Sequence, residues 1–303
     1  MSNTYWLNGK YIQKEDAYIS PLTHTLHYGL GAFEGVRSYA SHDDSSVSIF
    51  RLKEHTERLF ESAKIINVEI NHSMDEVMEA QLGVIEKSGL KDAYIRPLIY
   101  LNDERLGLDI VGMKSHLMIS CWEWPSYFGA EALESGIDVM VSSFTRQFPN
   151  SLMTKGKISG GYVNGVMAHD QAKRNGYQEA ILLDTNGFVA EGSGQNIFLI
   201  KKGKVMTPEL TCCLNGITRR SVMKIAEDLG LEVLERHITR DELYTADEVF
   251  FCGTAVEITP IRAIDKIKVG IGKRGEITTQ IQQNYLDAVR RKSDKYSDWL
   301  SKV

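Results

Sequence analysis

Two lysines stand close together in a run of small residues, Thr154-Lys155-Gly156-Lys157-Ile158-Ser159-Gly160-Gly161-Tyr162. A lysine amine attacks a carbonyl only in its neutral form, and burial or a nearby cation lowers its pKa enough for Schiff-base chemistry. Spacing separates neither Lys155 from Lys157 nor either from a solvated surface charge. A second group, Glu191-Gly192-Ser193-Gly194-Gln195-Asn196, sets a carboxylate at the lip of a glycine-rich bend, where it can be held toward a ligand or belong to an ordinary turn. In a third, Asn215-Gly216-Ile217-Thr218 runs directly into a helix starting near Arg219. Free backbone N–H groups and the positive end of the helix dipole there suit a phosphate, although Thr218 as a simple cap explains the same residues. Finally, Gly253-Thr254-Ala255 ends an apolar run over 248–252, leaving small residues and a hydroxyl where backbone can approach a ligand or a strand can bend.

The elements that must position these groups show in the periodicity. Asn8-Gly9 between alternating apolar positions predicts a two-residue hairpin turn. Residues 51–65 place Leu52, Leu59, Phe60 and Ala63 on one helical face, with Arg58 off the stripe, and Ser73 to Glu76 has a capping-box pattern before an amphipathic stretch ending near Gly89. Strands are expected at 93–100 and 116–122. Periodicity lapses around Trp124-Pro125-Ser126-Tyr127-Phe128-Gly129, which marks the interdomain connection. Beyond it, 162–174 reads as a helix, turns at Asn186-Gly187 and Lys202-Gly203 divide a meander of short strands, and helices follow at 219–229 and 277–289. The expected organisation is a small N-terminal α/β domain over 1–123, a linker over 124–132 and a larger domain over 133–303.

Composition narrows the function. With 303 residues, 43% hydrophobic and 25% charged, the chain is long enough for two folded domains. A formal net charge of -5 lacks the basic footprint of a nucleic-acid binder. No apolar run is long enough to cross a bilayer, and the start, Met1-Ser2-Asn3-Thr4-Tyr5-Trp6, lacks a signal-peptide layout, so a cytoplasmic protein with small-molecule partners is expected. Cys121, Cys212, Cys213 and Cys252 form no zinc spacing and read as reduced, mostly buried thiols. His24 and His27 have no third ligand nearby and read as packed or hydrogen-bonded, not as a metal site. The glycines at 29, 31 and 35 and at 270, 272 and 275 fit neither a dinucleotide fingerprint nor a P-loop.

Read in order, His27-Tyr28-Gly29, Phe33-Glu34-Gly35-Val36-Arg37, Arg58-Leu59, Tyr94-Ile95-Arg96-Pro97, Lys157 to Tyr162, Glu191 to Asn196, Gly216-Ile217-Thr218 and Gly253-Thr254-Ala255 resemble the branched-chain aminotransferases of the fold-type IV pyridoxal-phosphate enzymes. The resemblance covers essentially the whole chain. It implies a two-domain α/β (α+β) fold, the larger domain having a β-barrel-like core and the cofactor lying between the domains. Lys157, not Lys155, is then the lysine bound covalently to pyridoxal 5'-phosphate and the base that moves the proton. Tyr162 bonds the cofactor's phenolic oxygen, Glu191 faces its pyridine nitrogen, and Arg58, Gly216, Ile217, Thr218 and Thr254 hold its phosphate. Tyr28, Phe33, Gly35, Tyr162, Trp124 and Tyr127 fall where such enzymes shape the side-chain pocket, while Tyr94, Thr254 and Ala255 fall near the substrate α-carboxylate.

The implied reaction transfers the amino group of L-leucine, L-isoleucine or L-valine to 2-oxoglutarate. Because the pocket must also take glutamate, whose second carboxylate cannot enter an apolar cavity unpaired, Arg37 or Arg96 is expected to meet it. Leu106, Gly107 and Leu108 match a loop that reaches a partner subunit, implying a homodimer or a higher assembly of dimers. Gln195 stands where some relatives have Glu. Rivals on the same scaffold are a D-amino-acid aminotransferase, an amine transaminase and an aminodeoxychorismate lyase, and a rival of another class is a catalytically silent carrier.

Overall fold

Asn8 and Gly9, both at positive φ (48° and 90°), make the tight turn that the Asn-Gly pair predicts, joining β1 (Thr4–Leu7) to β2 (Lys10–Gln13). These strands open the first of two units in a computed structural model that describes residues 4–303. Met1–Asn3, the start of the stretch read as lacking a targeting segment, lie outside the described residues. The first unit comprises the chain up to Pro125, then Gly156–Gly161 and Ala288–Val303; the second comprises Ser126–Lys155 and Tyr162–Asp287.

In the first unit follow α1 (His24–Tyr28), β3 (Gly31–Phe33), β4 (Val36–Ala40), β5 (Val47–Phe50), α2 (Leu52–Ile65), α3 (Met74–Ser88), β6 (Ala93–Leu101) and β7 (Ser115–Glu123). The expected capping box is present: Ser73 Oγ accepts from the Glu76 N–H at 3.2 Å, and Glu76 accepts from the Ser73 N–H at 2.7 Å. Sheet order is C-terminal strand (Leu300–Lys302), β5, β4, β6, β7, β1, β2, with β3 also paired to β6. Leu52, Leu59 and Ala63 of α2 and Val77, Val84 and Ile85 of α3 bury against Ile95, Ile99, Leu117 and Ile119 of the central strands. The sequence places 288–303 in the second domain, but Leu300–Lys302 pair with Phe50, Ile49 and Ser48 of the first. A short edge strand carries no periodicity of its own, so its partner is set by a long-range pairing.

The second unit begins inside the stretch read as the connection, at Ser126. It contains α4 (Ala132–Ser135), β8 (Ile137–Thr145), α5 (Pro149–Leu152), α6 (Tyr162–Arg174), β9 (Glu179–Leu183), β10 (Val189–Gly192), β11 (Asn196–Lys201) and β12 (Lys204–Thr207). There follow α7 (Ile217–Asp228), β13 (Val233–Glu235), α8 (Arg240–Thr245), β14 (Glu248–Gly253), β15 (Glu257–Ile264), β16 (Ile267–Lys268) and α9 (Glu276–Val289), whose last two residues fall in the first unit. Sheet order is β10, β9, β8, β15, β14, β11, β12, β13, with β16 on β15. Its path ends at β10 and β13 without closing, so the barrel-like core is a half-barrel. Mixed pairing, parallel at β8–β9, β8–β15 and β12–β13, completes a two-domain α/β class. Among the described residues no helix is long and apolar enough to cross a membrane, and all four cysteines are free and buried.

Candidate active site

In the first unit the groups gather around Lys157. Its main chain is fixed on both sides: the Lys157 N–H donates to Ser62 Oγ at 2.9 Å, and its carbonyl accepts from the Phe33 N–H at 3.1 Å. Ser62 Oγ in turn donates to the Arg58 carbonyl at 2.7 Å. One buried hydroxyl thus joins the lysine peptide to the backbone of the arginine expected at the phosphate. Ala32 and Ile158 form a further bridge, so the 156–161 segment docks as an added edge beside β3. The Lys157 ammonium position lies 5.0 Å from the Phe33 ring centroid.

Arg58 is 8% exposed, not the solvent-facing charge that periodicity alone suggests. Its Nε and Nη2 donate to Glu34 at 2.6 and 3.0 Å, and His55 Nδ1 meets the same carboxylate at 2.7 Å. Burial pushes the Glu34 carboxyl up, but Arg58 and His55 together outweigh it and hold the group well below the usual carboxylate range. Burial also lowers the His55 pKa despite the opposing pull of Glu34, so the ring is neutral and Nδ1 carries the donated hydrogen.

The residues of this unit expected on the substrate side include an aromatic wall. Tyr94 lies 5.2 Å from Trp122 and 5.0 Å from Trp124, centroid to centroid. Gly35 is glycine for a steric reason: a Cβ there would sit 1.9 Å from Tyr94 Oη. Arg96 stacks over Phe33 at 4.4 Å and Tyr94 at 5.3 Å, and its Nη2 donates to Tyr94 Oη at 3.3 Å. Its buried Nε makes no hydrogen bond among the described residues. Arg37 differs: it donates to the Trp124 carbonyl at 3.3 Å and stacks on Tyr39 at 5.0 Å. Tyr28 is 44% exposed, and its hydroxyl accepts from the Gly107 N–H at 3.0 Å, while His24 Nε2 donates to the Gly107 carbonyl at 2.8 Å. That bond gives His24 the hydrogen-bonded role expected of it, as the Pro21 carbonyl does for His27.

The second unit gathers its own set. Glu191 is 4% exposed at the end of β10, and Arg146 Nε lies 2.7 Å from its Oε1. Its Oε2 accepts from Asn196 Nδ2 and from the Leu214 N–H, each at 3.3 Å. Asn196 Nδ2 also donates to the Leu214 carbonyl at 2.9 Å, tying the start of β11 to the loop that enters α7. That helix starts two residues earlier than the sequence suggests: Gly216 is its N-cap, and Thr218 sits inside the first turn instead of capping it. Among the described residues no side chain caps the terminus, which leaves its first N–H groups for an anion. A Cβ on Gly216 would lie 2.0 Å from Asn196 Oδ1, so the approach demands glycine.

Thr254 and Ala255 form the turn between β14 and β15, with Gly253 opposite Glu257 in register and Cys252 opposite Asn196 across β11. Tyr162 opens α6, its ring edge 3.8 Å from where a Gly194 Cβ would project. Tyr127 lies 4.7 Å from Phe128, ring to ring, and is 45% exposed. Lys155, the other lysine of the pair, donates to the Leu210 carbonyl and, at 3.4 Å, to that of Cys213, where burial lowers its pKa. It staples the loop that delivers Leu214 to Glu191. Sequence reasoning missed Glu34, Ser62, Arg146 and Asn196 as site residues. Glu34 and Asn196 had a signal, Glu34 lying between two assigned residues, Phe33 and Gly35, and Asn196 closing the glycine-rich group that begins at Glu191.

A family model described as amino-transferase class IV matches residues 31–264. The chain is 47% identical over 298 residues to a branched-chain-amino-acid aminotransferase of Pseudomonas aeruginosa, covering 98% of this chain and 96% of that protein. It is 45% identical over 300 residues to the protein of the same description from Escherichia coli (strain K12), with the same coverage. Among solved structures, a branched-chain amino acid aminotransferase of Escherichia coli superposes with a TM-score of 0.95 at 43% identity, covering 99% of both chains. That of Thermobaculum terrenum, solved in its PLP form, gives 0.93 at 33% identity, covering 99% of this chain and 98% of that one.

Proposed function

We propose that this chain, which belongs to the amino-transferase class IV family, is a branched-chain-amino-acid aminotransferase. It uses pyridoxal 5'-phosphate to move the amino group of L-leucine, L-isoleucine or L-valine reversibly to 2-oxoglutarate, giving L-glutamate and branched-chain 2-oxo acids. The observation that carries the substrate reading is Arg96, a guanidinium stacked on the Phe33 and Tyr94 rings with a buried Nε that makes no hydrogen bond among the described residues. An apolar wall with one such cation accepts a branched aliphatic side chain and also the second carboxylate of glutamate.

The residues fit the cofactor. The uncapped start of α7 and buried Thr218 suit a phosphate, and Glu191 with its Arg146 counter-charge suits a protonated ring nitrogen. When bound, pyridoxal phosphate supplies an aldehyde that takes up the amino group and a ring that accepts the electron pair left when the α-proton departs. Lys157 would hold the cofactor through its amine and would move the proton at the substrate α-carbon as base and then acid. Because Ser62 and Phe33 fix its peptide, only its side chain has to swing. Glu191 would accept from the ring N–H and Tyr162 would donate to the phenolic oxygen.

Arg58, the N–H groups at Ile217 and Thr218, and the hydroxyls of Thr218 and Thr254 hold the phosphate. Tyr28, Phe33, Gly35, Trp124 and Tyr127 enclose the substrate side chain, and Tyr94, Thr254 and Ala255 orient its α-carboxylate. Arg96 takes the second carboxylate of glutamate, while Arg37 braces the wall through the Trp124 carbonyl. We further propose a homodimer or an assembly of dimers, because Leu106 and Leu108 expose 45% and 88% of their surfaces on the loop that Tyr28 and His24 hold. A cytoplasmic site of action accords with four free thiols.

Turnover of L-leucine with 2-oxoglutarate, set against D-alanine and a chiral arylalkylamine, tests the reading. Absence of turnover with leucine, isoleucine and valine overturns it. Lys157→Ala is expected to abolish turnover and the visible absorption of the bound cofactor while Lys155→Ala keeps both; the reverse pattern sinks the assignment of the lysine.

A further inference from the structure

We infer that Glu34 is a positioning residue for cofactor binding: it fixes the Arg58 guanidinium in place for the phosphate before the cofactor arrives. The inference rests on the reading of Arg58 as a phosphate ligand, and nothing in the proposed reaction requires Glu34 to touch cofactor or substrate. Its side chain has no exposed surface, and a carboxylate so placed survives ionised only where donors converge on it. Four do. Oε1 accepts from Arg58 Nε at 2.6 Å, while Oε2 accepts from Arg58 Nη2 at 3.0 Å, His55 Nδ1 at 2.7 Å and the Gly35 N–H at 3.1 Å.

The bidentate grip occupies the Nε–Nη2 edge of the guanidinium and fixes its plane, so the orientation of the Nη1 edge is set by the carboxylate and not by the ligand. An arginine is otherwise a long, rotamer-rich side chain whose ordering would be charged against cofactor affinity, and here that ordering is completed during folding. His55 and Arg58 both lie on the buried face of α2 three residues apart, so one helix supplies three of the four donors. The main chain of Glu34 is tied as well: its N–H donates to the Pro97 carbonyl at 2.9 Å, and the preceding N–H, of Phe33, holds the Lys157 carbonyl. The lysine peptide and the phosphate arginine therefore share one rigid frame, of which Glu34 is the charged centre.

A purely structural ion pair and a positioning residue differ in which ligand notices its loss. The full-length protein, freed of cofactor, is titrated with pyridoxal phosphate and separately with pyridoxal, which lacks the phosphate, and absorbance reads both affinities. Glu34→Gln is expected to raise the Kd for pyridoxal phosphate about ten- to a hundredfold, the range for a charged hydrogen-bond partner, and to change that for pyridoxal by less than about threefold. Arg58→Gln gives the same phosphate-specific loss, and adding Glu34→Gln to it then has no further effect on affinity.

If Glu34→Gln weakens both ligands alike, or neither, while Arg58→Gln loses its phosphate preference, the inference fails and the role of Arg58 stands. Should Arg58→Gln retain that preference, the reading of Arg58 falls and takes the inference with it. Where Glu34→Gln does not fold, His55→Leu removes one donor while keeping both charges. A smaller but still phosphate-specific loss in that variant supports the proposal; an equal loss for both ligands, or none, overturns it.

Discussion

Glu34 and Glu191 are buried carboxylates, each beside an arginine, one in each unit, and they are held differently. Glu34 takes two bonds from Arg58 at 2.6 and 3.0 Å, a third from His55 at 2.7 Å and a fourth from its neighbour's N–H. Glu191 has Arg146 at 2.7 Å on one oxygen, and its other oxygen accepts from Asn196 Nδ2 and the Leu214 N–H, each at 3.3 Å, the long end of hydrogen bonding. A carboxylate gripped by short bonds to a rigid frame serves as a fixture. One whose second oxygen accepts two long bonds has room to shorten a contact, as the proposed role of Glu191 at a ring N–H would need. Loss of the first should therefore appear in stability and cofactor affinity, and loss of the second in rate.

The sharpest attempt to break that contrast is Glu191→Gln. Turnover should fall about 10²–10³-fold, the cost of losing one preorganised electrostatic partner, with little change in the melting temperature of the cofactor-free chain. A fall in melting temperature comparable to that of Glu34→Gln, with turnover preserved, breaks it. Next in size is Ser62→Ala, which leaves the Lys157 N–H without its acceptor and the Arg58 carbonyl without one of its donors. We expect a loss of about 1–3 kcal/mol in denaturant unfolding and faster amide exchange over the 156–161 segment. Protection that stays at the wild-type level would mean that the lysine peptide is fixed by β3 alone.

The smallest effect concerns two histidine–glutamate pairs, again one per unit. His55 beside Glu34 has its pKa lowered by burial, whereas His169, partly exposed on α6, has its pKa raised by its bond to Glu179. The signs oppose. A lowered folded pKa means that the unfolded chain binds the proton more readily, so the His55 contribution is full above the ordinary value of 6.5 and is lost as pH falls through the folded value. The raised pKa of His169 makes its contribution full below 6.5 and lost as pH rises through the folded value. Melting temperatures taken from about pH 7 down to about pH 5 should show the penalty of His55→Gln shrinking and that of His169→Gln growing. Parallel trends would show that burial does not separate the two pairs.

Much of the local architecture is legible from residue order. Asn-Gly at 8–9, the Ser73–Glu76 box and the 162–174 helix are written by neighbours, and neighbours decide them. Arg58 is not legible from periodicity, because the buried face of α2 is wider than its apolar stripe: His55, Arg58 and Ser62 pack inward beside Leu52, Leu59 and Ala63. What makes those polar positions stable lies 21 to 95 residues away, in Glu34 and Lys157, and no window along the chain contains both ends. Arg146 and Asn196 escape for the same reason, being defined by a carboxylate on another strand. The family resemblance supplies Arg58, Lys157 and Glu191, whereas their supports require coordinates.

The pairing of Leu300–Lys302 with β5 bears on how the protein is made. During synthesis β5 leaves the ribosome about 250 residues before its outer neighbour, after the entire second unit. Until then its outer edge offers open backbone groups to any passing strand. Translation that stalls within the second unit should therefore yield nascent chains prone to associate through β5, and a chaperone that shields that edge would matter most in this interval.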